Sequence, residues 1–116
     1  MLSNMPKTLE KYAQDIDPED IILYKKLLVK RIKRYPQIDM SDLLTVSAET
    51  FEKSFLEVEV DYSKNFKEFV QDYIWILNEF KTVYERRDFD TMAELCLLSE
   101  AMLPDLYESV QHRFDK

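Results

Sequence analysis

Apolar residues recur along this chain at the three- and four-residue spacing of helices, and hardly ever at the two-residue spacing of strands. The clearest run lies between residues 64 and 87. There Phe66, Phe69, Val70, Tyr73, Ile74, Leu77, Phe80 and Tyr84 share one helical face. An earlier run, from about 18 to 35, brings Ile21, Tyr24, Leu28, Ile32 and Tyr35 together and stops at Pro36. It opens on Asp17-Pro18-Glu19-Asp20. Asp17 suits a cap, Pro18 the first helical position, and the two acids the positive end of the helix dipole. Ser41 is placed to cap a helix over 41–58, with Leu44, Ala48, Phe51, Phe55 and Val58 on its apolar side.

Leu56 to Tyr62 alternates apolar and polar residues as a strand does. The chain offers no second strand to pair with it, so the segment is read as a frayed end or extended connector. Asp88 or Asp90 caps a last helix over 90–114, whose face is Met92, Leu95, Cys96, Leu103, Leu106, Val110 and Phe114. That phase survives Pro104, which predicts one helix kinked near Pro104 rather than two. Lys7 to Gln14, with Leu9, Tyr12 and Ala13 apolar, forms a short N-terminal helix or arm. Short connections between long helices predict an all-α antiparallel bundle of about four main helices, in a single domain over 1–116.

Composition narrows the chemistry. Glycine is absent, where average usage would give roughly eight. Without it there is no low-cost residue for left-handed turns or for close approach of backbone to phosphate, so P-loops and dinucleotide fingerprints are not expected. One cysteine, Cys96, and one histidine, His112, cannot build a zinc site or an internal disulfide. Cys96 falls on a predicted core face, where a cysteine behaves as a small hydrophobe. His112 lies near a helix C-terminus, with no nucleophile or orienting acid placed beside it. Residues 1–6 contain no apolar run of the secretory type, and no stretch approaches a membrane span, so the expected location is cytoplasmic. The chain is expected to be non-enzymatic and to hold no cofactor.

Carboxylate spacing was the remaining route to catalysis. Glu49-x-x-Glu52 followed by Glu85-x-x-Asp88 resembles the ExxE…ExxD pattern of the all-α nucleotide pyrophosphohydrolases of the MazG type. The resemblance covers four acids and implies a metal-dependent hydrolase with these residues around Mg²⁺. The helical wheel turns Glu52 about 90–100° from its helix's apolar face, with Glu49 further round and Glu85 off its own apolar stripe. These acids are therefore expected in solvent. The stretch Ile76 to Pro104 resembles one tetratricopeptide hairpin at Phe89 and Pro104. It lacks the repeat's glycine and small packing residues, and no second repeat follows, so it reads as an ordinary helical hairpin. The acids of 15–20 lack the turn glycine and closing glutamate of a calcium loop, and helix capping accounts for them.

Charge and one aromatic carry what remains. The net charge is −7, divided into +2 over residues 1–40 and −9 over residues 41–116. From Ile21 to Pro36 there are six cations and no acid, and Lys26, Lys30, Lys33 and Arg34 lie opposite the apolar face. Such a helix is either a solvated outer face or a binding element for a protein, an anionic lipid surface or nucleic acid. The acidic remainder of the chain argues against nucleic acid and membrane, whose phosphates it would repel. Trp75 sits about 180° from Phe66 on the longest helix, among Glu68, Asp72 and Glu79. It is either covered by the N-terminal segment or an exposed anchor. The sequence thus predicts a protein-interaction module, of the inhibitor, immunity, adaptor or regulator kind. Trp75, Glu68, Asp72 and Glu79 would meet a basic partner, and Lys26, Lys30, Lys33 and Arg34 form the second candidate surface. A homodimer joining the basic face around Lys30 to the acidic face around Trp75 is a further expectation.

Overall fold

The computed structural model describes residues 4–36, 40–57 and 64–114, and it is all-helical. Its elements are α1 (Lys7–Gln14), α2 (Pro18–Arg34), α3 (Met40–Phe51) continued by a π-helical turn (Glu52–Leu56), α4 (Lys64–Glu85) and α5 (Phe89–Phe114). No strand occurs among the described residues. The expectations for Val58 and for the connector up to Tyr62, and those for the side chains of Val110, His112 and Phe114, lie outside the described residues.

The start signals act largely as the sequence implies. Asp17 accepts a hydrogen bond from the Glu19 amide at 2.9 Å, with Pro18 in the first turn. Asp88, not Asp90, begins α5: its carboxylate accepts from the Thr91 amide at 3.3 Å and the Thr91 hydroxyl at 2.6 Å. That hydroxyl bond, foremost, holds the Asp88 carboxyl below its usual range. Ser41 is corrected: α3 already includes Met40, so Ser41 lies inside the first turn and its carbonyl accepts from the Thr45 hydroxyl at 3.0 Å. Pro104 stands inside a continuous α5, as expected.

Two apolar clusters hold the helices together. In the larger one, α5 supplies Met92, Leu95, Leu98 and Met102, α4 supplies Ile76, Val83 and Tyr84, and α1 supplies Leu9 and Tyr12. Leu28 and Ile32 of α2 and Met40 of α3 press on it from outside. In the smaller one, Phe66 and Val70 of α4 meet Leu106 of α5, with Phe51, Phe55 and Leu56 packed against them. The π-helical turn belongs to this second cluster. Its extra residue per turn re-aims the chain after Phe51. Phe55 thereby meets Phe66 edge-on at 5.4 Å while Phe51 stays 4.9 Å from Tyr73.

The turn between α4 and α5 shows what a chain without glycine must do. Arg87 takes φ 57°, the left-handed conformation that usually falls to glycine. The Asp88 amide then donates to the Val83 carbonyl at 3.0 Å and the Arg87 amide to the Tyr84 carbonyl at 3.1 Å, a Schellman ending. The Arg87 side chain offsets part of the strain. Its guanidinium lies 4.4 Å from the Tyr84 ring centre, and it also donates to the Tyr84 carbonyl at 3.1 Å. Arg87→Val, which brings a β-branched side chain into this conformation and removes both contacts, is expected to lower stability by about 1–3 kcal/mol. Arg87→Gly is expected to stay within about 1 kcal/mol of wild type, because relief of strain offsets the lost contacts. Urea unfolding midpoints at constant slope separate the two outcomes.

Candidate interaction surface

The face around Trp75, for which the sequence leaves a covered and an exposed reading, is partly closed. The buried arc of α4 is wide, because α5 and α3 pack on different sides of it: Ile76 and Val83 are buried as well as Phe66 and Val70. Trp75 stands at the edge of that arc, half-buried and packed against the cluster that contains Leu9 and Tyr12. Glu68 and Glu79 are half-buried too. Asp72 is only 6% exposed. It accepts a hydrogen bond from the Thr8 hydroxyl at 2.5 Å, so α1 lies over it. A second polar tie holds α1, with Tyr12 donating from its hydroxyl to Asp105 on α5. Burial and the Asp105 carboxylate beside it both push the Tyr12 hydroxyl to a higher pKa.

Asp72 resists ionisation. Burial raises its pKa above the model-peptide value of 3.8, and the Thr8 hydrogen bond opposes this only in part. The folded state therefore holds this proton more tightly than the unfolded chain does. As pH rises through the unfolded value towards the folded one, stability is lost. Asp72→Asn keeps an acceptor for Thr8 and removes the charge. It is expected to raise the melting temperature at pH 7, with a gain that shrinks towards pH 4; thermal melts of both proteins across that range check the sign.

α2 is the open element. It has no buried residue and rests on α5 by one side only. That side packs Leu28 and Ile32 on the core, donates the Tyr24 hydroxyl to Glu100 at 3.0 Å, and pairs Lys25 with Asp90 at 3.1 Å. Under this seam the Cys96 thiol is half-buried, and burial pushes it up to about 11, so it stays protonated at neutral pH. A cavity of about 230 Å³ separates Leu28 and Ile32 from Met40 of α3 and Phe80 of α4. The other side of α2 faces outward. Lys26, Lys30, Lys33 and Arg34 are exposed there, as the wheel predicts, and Lys26, Lys30 and Lys33 form no ion pair among the described residues. Ile22, Leu23 and Leu27 are exposed with them, at 56, 59 and 52%.

These three apolar residues are the ones the sequence reading passed over. Their signal was present in the wheel, since Leu23 and Leu27 fall between the cations and away from Tyr24, Leu28 and Ile32. The four acids that resemble the hydrolase pattern do not converge. Glu49, Glu52, Glu85 and Asp88 are all exposed, and Asp88 is engaged as a helix cap. No group of three or more His, Cys, Asp or Glu residues able to hold a metal occurs among the described residues. Among them, too, no helix is long and apolar enough to cross a membrane. No family model, curated protein or solved structure matches this chain.

Proposed function

We propose that this chain is a non-enzymatic protein-interaction module whose working surface is the outer face of α2. We read its helices as an antiparallel bundle built on the α4–α5 pair, with α2 and α3 on its flanks. The observation that carries the proposal is the exposure of Ile22, Leu23 and Leu27 beside Lys26 and Lys30, on a helix already docked by its opposite side. Grouped exposed apolar residues mark contact sites, and adjoining cations select a partner that offers acids. Trp75, Glu68 and Glu79 take a lesser role at the half-covered edge of α4, and Asp72 serves the fold by holding α1.

The double variant Ile22→Ser/Leu27→Ser tests this directly. Both sites are exposed, so stability should change by no more than about 0.5 kcal/mol per site. Capture of partner protein from host extract should fall at least tenfold with this variant and stay near wild type with Trp75→Ala. Loss of capture with Trp75→Ala alone would return the working surface to α4. Binding of the wild type to anionic vesicles at physiological salt, abolished by the double variant, would make α2 a lipid-binding helix instead.

A further inference from the structure

The outer face of α2 has a counterpart on the same molecule. α3 turns Leu44 and Ala48 inward and leaves Leu43 and Val46 outside, at 54 and 57% exposure. On that outer surface, four residues before Val46 and three after it, stand Asp42 and Glu49, both exposed. Lys53 follows a turn later. The two faces match in kind and oppose in charge. One presents Leu23 and Leu27 with Lys26 and Lys30, the other Leu43 and Val46 with Asp42 and Glu49.

Resting on the reading of α2 as the working surface, we infer that the partner is a second copy of this chain, with α2 of one subunit docked on α3 of the other. The order of groups along the two helices supports this pairing. In α2 the exposed apolar residues come first, and Lys30 follows Leu27 by three residues; in α3 Glu49 follows Val46 by three residues. Side by side and parallel, the helices set Leu27 against Val46 and, one turn on, Lys30 against Glu49. A two-fold axis makes the contact twice, α2 on α3 and α3 on α2, which no single-sided partner does. Two helix-on-helix contacts bring the buried area towards the lower end of specific interfaces, so the dimer dissociates on dilution and weakens with salt.

An anionic bilayer explains the same residues less well. Helices that lie in a membrane surface separate their apolar and cationic sides. Here the continuous apolar stripe of α2 is already spent on α5, and on the outer face leucines and lysines interleave. Phosphate-rich nucleic acid would engage the cations and leave Ile22, Leu23 and Leu27 unexplained.

Sedimentation equilibrium of the full chain over a wide dilution range tests the inference. Wild type should pass reversibly from dimer to monomer, with a dissociation constant that rises with salt. Lys26→Glu/Lys30→Glu and, separately, Asp42→Lys/Glu49→Lys should each weaken the dimer by about tenfold or more. An equimolar mixture of the two variants should associate again, because every α2–α3 contact in the mixed dimer regains opposite charges. The fourfold variant should likewise recover self-association. Circular dichroism checks that each variant is folded. Wild type that stays monomeric throughout would overturn the inference, as would charge reversal without effect or variants that fail to rescue one another. A monomeric wild type that still captures another protein through Ile22 and Leu27 would overturn this inference and leave the α2 surface standing. A dimer indifferent to Ile22→Ser/Leu27→Ser would overturn both.

Discussion

Burial of α5 sets the terms for the other helices. Met92, Leu95, Leu98 and Met102 are fully buried, and α4, α2 and α1 each pack against this one helix. Removing a side chain from such a position leaves a cavity as well as losing burial, at a cost of about 2–5 kcal/mol for a leucine. The helices around it divide its surface unequally. α4 takes the largest share, and α1, though only 8 residues long, contributes the fully buried Leu9. α2 comes last in burial, with no residue of its own fully covered. One side of α2 meets the core, and among the described residues nothing covers its apolar Ile22, Leu23 and Leu27.

That division explains which parts of the molecule were legible in the sequence. The helices of residues 18–34, 64–85 and 89–114 could be read closely, because each carries apolar residues at helical spacing, and the first and last of them also open beside a proline or an acid. Leu98 and Met102 were not on the stripe assigned to α5, yet both are fully buried. A wheel drawn for one helix finds the centre of a face but not the number of neighbours that will cover it. α5 has neighbours on several sides, so its buried surface exceeds one stripe. The same limit applies to Asp72. It reads as part of a solvated acidic face until α1 is laid over it, and the Thr8 hydroxyl that donates to its carboxylate is 64 residues away in sequence.

The candidate surface was half legible for a related reason. Lys26, Lys30, Lys33 and Arg34 declare themselves by charge, whereas an exposed leucine looks like a core leucine in sequence. Ile22, Leu23 and Leu27 separate from Tyr24, Leu28 and Ile32 only when the direction from which α5 approaches is known. For Trp75 the wheel leaves a covered and an open reading side by side, and the structure packs it half-buried against the cluster that holds Leu9 and Tyr12 of α1. The acidic side of α4 is thus half-covered, whereas α2 and α3 expose like apolar patches beside opposite charges. Absence of glycine runs through all of this. It leaves no glycine for a phosphate loop and gives Arg87 the left-handed position that closes the α4–α5 turn.

Methyl-labelled nuclear magnetic resonance over a series of protein concentrations locates the working surface most directly. If the outer faces of α2 and α3 meet, the methyl signals of Ile22, Leu23, Leu27, Leu43 and Val46 shift together as concentration rises, while those of Leu95 and Leu98 and the Trp75 indole signal stay in place. Shifts centred on Trp75, with the α2 methyls unmoved, would contradict the account.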